Sequence, residues 1–246
     1  MDWIYLAIIT LLAATIQSAT GFGFGLIAVP VFLLILDSSD AIQMVMMIIL
    51  CMSVVDWIKL RGQSSFNLLL WLNIGMLIGF PFGLAIFQNV ELPVLKLIIA
   101  LVILFFSLHN LVKLFKGKLH TETPSDNIHN WKTAVTGYLS GLMTTSLAMP
   151  GPVVMLYLVQ LGLDKTLIRA TILTFFIFAY AGALLLQALM VGVSVTTWTS
   201  GLSLVPVALT GVFAGHYLAD KINQKLFKEI VLFILILTAI VMLLQL

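Results

Sequence analysis

Charge is scarce in this chain. Of 246 residues, 9% are Asp, Glu, Lys or Arg while 61% are hydrophobic, and the mean hydropathy is +1.16. Soluble domains carry about 25% charged residues, so this composition excludes an ordinary soluble fold. No polar stretch is long enough for a soluble catalytic or binding domain. There is one cysteine, Cys51, inside an apolar run, which excludes a disulfide framework or cysteine metal cluster within one chain. It reads as packing. The net charge of +2 comes from lysines beside apolar runs, a matter of topology rather than nucleic-acid binding. Also absent are Gly-x-x-x-x-Gly-Lys-Ser/Thr, Gly-x-Ser-x-Gly and His-Glu-x-x-His. Without them the chain is expected neither to hydrolyse ATP nor to act as an enzyme, and no cofactor is expected. His120 and His129 lack nearby cysteines or a His-x-x-x-His spacing, so no metal is expected. The opening MDWIYLAIIT carries an acid where a signal peptide has a basic segment, and no cleaved signal is read.

Apolar runs fill what remains: roughly 3–36, 41–58, 66–87, 93–115, 133–163, 171–193, 198–218 and 229–246. Most have the length of one span. As a straight helix the first would reach about 50 Å at ~1.5 Å per residue, against ~30 Å of hydrocarbon. The first and fifth must therefore bend, break or double back. Both are interrupted near the middle. In QSATGFGFGLIAVP, residues 17–30, glycines stand at 21, 23 and 25; SLAMPGP, residues 146–152, interrupts the fifth run about 127 residues later.

The basic residues choose between crossing and doubling back. If each long run enters and leaves on one side, Lys59, Arg61, Lys113, Lys116, Lys118, Lys132, Lys165, Arg169, Lys221, Lys225 and Lys228 share a face, with only Lys96 opposite. That asymmetry favours hairpins, a cytoplasmic basic face and both termini outside. Each half then holds one hairpin and three spans, an odd number of crossings, which makes the halves inverted repeats of the kind secondary transporters use. The expected fold is an all-α integral membrane protein of two inverted repeats, each a broken or re-entrant helical hairpin plus three transmembrane helices. The first repeat covers 1–115, a cytoplasmic linker 116–131, and the second repeat 132–246. Matching landmarks support the duplication: Trp3 with Trp131, Leu36-Asp37 with Leu163-Asp164, Gly79 and Gly83 with Gly211 and Gly215, and Lys96 with Lys228. The glycine spacings suit close backbone packing more than a ligand.

The breaks are the candidate site. After Gly21, Gly23 and Gly25 a new half-helix can begin, its unpaired N–H groups and about half a positive charge facing the gap, a place for an anion without a formal cation. Gln17, Ser18 and Thr20 add hydrogen-bonding side chains. In the second break Pro150 and Pro152 bracket Gly151, with Thr144, Thr145 and Ser146 as the matching polar cluster. Glycine and hydroxyl residues also serve plain close packing in membrane helices; it is the pairing of the two breaks that favours a permeation site. Phe22 can line or gate the cavity or simply pack. Arg169 reads as an interfacial anchor as readily as a substrate contact. Asp56, one turn before Lys59, reads as half of an interfacial ion pair rather than as a proton-coupling group, and His109 and His216 as snorkelling or capping residues.

Gln17, Thr20-Gly21-Phe22-Gly23, Pro30, Gly151-Pro152, Tyr157 and Arg169-Ala170-Thr171 together resemble the TauE/SafE sulfite exporter family along nearly the whole chain. The resemblance implies a prokaryotic inner-membrane permease for sulfite, sulfonates or related organosulfur anions. Ala148 and Met149 stand where that family often has glycine, and Val153 where it has a second proline, so substrate shape is left open. The expected function is secondary transport or facilitated export of a small sulfur-containing anion by alternating access. The alternatives are a permease for another small organic anion and a non-transporting membrane subunit. The expected partners are the anion, protons as a coupling ion, the lipid bilayer and a second copy as a homodimer, with no nucleic acid.

Overall fold

The computed structural model describes residues 2–60, 62–115 and 129–219, with isolated positions at 236, 240–241 and 243–244. Most of the linker 116–131, the apolar run 229–246 and Lys228 lie outside the described residues. Within them all regular structure is helical: α1 (Asp2–Thr20), α2 (Phe24–Leu36), α3 (Asp40–Leu60), α4 (Phe66–Asn89), α5 (Leu92–Phe115), α6 (Asn130–Leu147), α7 (Gly151–Gln160), α8 (Lys165–Met190) and α9 (Val195–Ala219). Windows in α1, α3, α4, α8 and α9 are long and apolar enough to cross a membrane. The chain is a multi-pass membrane protein.

Each long run is a broken helix that doubles back. At the second break, Ser140 Oγ donates to the carbonyl of Pro150 at 3.0 Å, and the hydroxyls of Thr133 and Tyr157 meet at 2.6 Å. Both bonds advance by seven residues along each arm, so α7 runs antiparallel to α6 and begins near its middle. α6 stops because Ala148 takes a left-handed conformation, φ 54. The amides of Ala148 and Met149 then bond back to the carbonyls of Thr144 and Met143, closing the helix end. A left-handed alanine costs about 1–2 kcal/mol. Ala148→Gly removes that strain but also a buried methyl and some chain stiffness, so its thermal midpoint should sit within about 0.5 kcal/mol of the parent. Ala148→Val puts a β-branch into the same conformation and should cost about 2 kcal/mol. Equal midpoints for Gly and Val would show the position to be unstrained.

At the first break Gly21 and Gly23 have φ of 90 and 118, values that L side chains rarely adopt. The amide of Gly21 closes α1 on the carbonyl of Gln17 at 2.6 Å. Thr20 Oγ1 clamps the turn between the carbonyls of Ile16, at 2.8 Å, and Phe22, at 2.6 Å. At ~1.5 Å per residue, α1 and α6 reach roughly 27–29 Å, close to the width of the hydrocarbon layer, whereas α2 and α7 return only ~15–20 Å. Of the two outgoing arms α1 is long and apolar enough to cross, and the return arms are half-length.

Two glycine-lined seams hold the hairpins. A side chain at Gly75 or Gly79 of α4 would fall on the carbonyls of Ala134 or Tyr138 in α6, and one at Gly137 or Gly141 of α6 would fall on the carbonyls of Leu72 or Met76 in α4. Gly211 and Gly215 of α9 sit in the same way on Leu11 and Thr15 of α1. With little hydrophobic drive between helices in lipid, such backbone proximity is what makes van der Waals contact extensive. The packing is reciprocal: α4 of the first half grips the hairpin of the second, and α9 of the second half grips the hairpin of the first. α3 and α8 pack together between these units.

α8 begins at Lys165, six residues before its apolar run, because the Asp164 carboxylate caps it by accepting from the amide of Thr166 at 2.9 Å. Arg169 therefore stands in the second turn of α8 rather than at its edge. At the opposite end of the bundle Lys96 of α5 bonds Asp37, just past α2, at 2.5 Å.

Candidate functional site between the two breaks

The two interruptions meet. A Cβ on Gly25 would come within 2.6 Å of the carbonyl oxygen of Ala148, and one on Gly151 within 3.6 Å of Phe22 Cβ. Between them lies a cavity of about 10 Å³, on the order of a single water. The first hairpin supplies Gln17, Gly23, Gly25 and Leu26 to its wall, the second Met149, Gly151 and Pro152, and α8 supplies Phe176 and Tyr180. All but Gly23 are buried.

No lining residue carries a formal charge, yet the field there is positive. α2 and α7 both start at the cavity, and the first N–H groups of a helix have no acceptor within it. Gln17 adds a side-chain donor. Its Oε1 accepts from the amide of Phe24 at 3.3 Å, which turns Nε2 away from that bond; Nε2 is buried and has no hydrogen-bond partner among the described residues. Such an orphan donor costs about 1–3 kcal/mol. An oxyanion would satisfy it.

Three of the carbonyls at the ends of α1 and α6, which would repel an anion, are taken up by α8. Arg169 donates to the carbonyl of Ser18, Tyr180 OH to that of Ala148 at 3.1 Å, and Gln187 Nε2 to that of Thr145 at 2.7 Å. One helix thus pins both breaks. Its stem also walls the first: a Cβ on Gly21 would meet Arg169 Cγ at 3.2 Å. Arg169 Nε has no hydrogen-bond partner among the described residues.

The remaining candidates divide by direction. Thr144 and Ser146 bond back within α6, to the carbonyls of Ser140 at 2.6 Å and Leu142 at 2.7 Å. Thr145 reaches the carbonyl of Phe80 in α4 at 3.1 Å. Pro150 receives the Ser140 bond, and Tyr157 sits at the base of the hairpin, off the cavity wall. Ser18 faces away too: its Oγ lies 3.3 and 3.4 Å from the carboxylate oxygens of Asp56. Asp56 has no exposed surface, and His216 Nε2 lies 3.1 Å from Oδ1. The Lys59 side chain expected to pair with it lies outside the described residues.

Tyr180, Phe176 and Gln187 have no motif to announce them. They look like ordinary members of an apolar helix until the fold sets them against the second break. A larger recess of about 440 Å³, lined by Ser39, Asp40, Gln43, Phe87 and residues 191–194, lies at the end of α8 beyond Gln187. Gln43 Nε2 donates across it to the carbonyl of Gly192 at 3.2 Å.

No curated protein and no solved structure matches this chain. The family model described as sulfite exporter TauE/SafE matches residues 6–242, a stretch that contains both breaks and α8, which pins them, and the chain belongs to that family of membrane permeases.

Proposed function

We propose that this protein exports a small sulfur-containing anion, a sulfite, sulfonate or related organosulfur compound, by alternating access around the two breaks. Membership of a sulfite exporter family supports the substrate class. The observation that carries the site is the buried, unpartnered Gln17 Nε2 in a cavity where two half-helices begin. At about 10 Å³ the cavity is too small for a sulfur atom with three oxygens, which fits a collapsed, substrate-free conformation in which the breaks must part before loading. The recess beside Asp40 is the outer mouth in this reading. The reciprocal seams and the excess of basic residues at one end support inverted repeats 1–115 and 132–246 in an inner membrane, with a cytoplasmic linker and both termini outside.

The test is anion-dependent thermal stabilisation of the purified protein with sulfite, sulfoacetate, taurine and sulfate. A ligand at 100 times its Kd should add about 2.7 kcal/mol. Gln17→Leu, which removes the orphan donor and keeps the bulk, should lose most of that gain. Equal stabilisation of both proteins would overturn the site, and no response to any of the anions would overturn the substrate class.

A further inference from the structure

A second polar cluster lies behind the anion cavity, at the last turn of α1. We propose that Asp56 and His216 form a proton-binding site linked to the cavity through that turn, an inference that rests on the anion reading above. Ionisable groups inside a membrane bundle are costly and are retained where they do something. Asp56 of α3 has no exposed surface, and His216 of α9 is 3.1 Å away with its side chain 16% exposed. Asp56 is therefore enclosed, and His216 is the member of the pair that reaches the surface of the bundle.

The connection to the cavity is a single residue. Ser18 is held through its hydroxyl by the Asp56 carboxylate and through its carbonyl by Arg169. Its neighbour Gln17 lines the cavity and caps α2. Gly215, one residue before His216, packs against Thr15 and Ser18 of the same turn. A proton arriving at Asp56 converts charge-assisted hydrogen bonds to Ser18 and His216 into neutral ones, roughly half as strong, and so lets the turn that carries Gln17 part from the second break for loading. The groups facing the pair set the sign. α9 contributes His216, α8 contributes Arg169 through the Ser18 carbonyl, α1 presents Ser18, and α2 has no titratable residue; on α3 itself Lys59 follows one turn later. Asp56 is the one negative member of this set, so its neutralisation favours an anion in the cavity. By linkage, a bound anion equally favours the proton.

The experiment measures the apparent Kd of sulfoacetate for the purified full-length protein between pH 5.5 and 8.5, a range over which this ligand keeps its charge. Wild-type affinity should weaken at least tenfold as pH rises. Asp56→Asn, a neutral isostere that does not line the cavity, should bind with a flat profile near the wild-type low-pH value. His216→Gln, which keeps a hydrogen bond to Asp56 but removes the imidazole, should displace the profile and carries the test if Asp56→Asn fails to fold. A flat wild-type profile with measurable binding, or an Asp56→Asn profile that still follows the wild type, overturns the proton site and leaves the anion site standing. Absence of binding at every pH overturns the anion reading and this inference with it.

Discussion

Gly151→Leu is expected to reduce sulfur-anion flux in proteoliposomes to the level of protein-free vesicles while the protein still folds. The added atoms enter where both half-helices start. The first carbon of the new side chain lies 3.1 Å from Phe176 Cζ and 3.6 Å from Phe22 Cβ, and the rest overfills a cavity of about 10 Å³. Phe176 meets it with the far end of its side chain, which has to swing by a few tenths of an ångström rather than a backbone atom having to move, so overpacking here costs about 1–3 kcal/mol without separating the seams. Gly151→Ala asks the ring to give by a few tenths of an ångström and should retain an intermediate rate. Flux in Gly151→Leu equal to wild type would show that the anion does not pass between the breaks.

The second large effect is structural. Gly79→Leu should abolish a monodisperse folded species in detergent, because its side chain must occupy the place of the Tyr138 carbonyl and a point 2.9 Å from the amide of Leu142. Those are backbone atoms of α6 and cannot step aside alone. The seam has to open along its length, at a cost on the order of 3 kcal/mol or more. Leu77→Ala on the same helix, where the side chain is 62% exposed, should leave the thermal midpoint nearly unchanged. A wild-type midpoint for Gly79→Leu would mean that α4 and α6 do not approach through glycine.

These two glycines show what kind of information a linear reading carries. Gly79 belongs to a spacing, and a spacing on a helix of known period defines a face, so its packing role was legible before any partner was known. Gly151 belongs to a break, and a break in an overlong apolar run has few outcomes in lipid, where backbone groups must be satisfied or line a cavity. The doubling-back was legible for a similar reason: basic residues distribute over two faces, and only one folding of the long runs collects them. Single residues were less legible: the spacing of Asp56 and Lys59 offers an ion pair, and the place of His216 near a helix end offers a snorkelling or capping role, but neither announces that Asp56 meets Ser18 and His216.

By itself, then, the sequence determined an all-helical membrane protein with two matched interruptions in its overlong apolar runs, and the glycine faces that pack its seams. Each of these follows from composition, length or period, which are properties of contiguous chain. Only the tertiary structure decided that the two breaks share one cavity and that Arg169, Tyr180 and Gln187 of α8 hold the carbonyl ends of both. It alone placed Asp56 against Ser18 and His216 in the interior. Those contacts join residues from 32 to 160 positions apart. No local pattern encodes them, since a buried aspartate in an apolar helix looks the same in sequence whether it faces a histidine, a lipid headgroup or water.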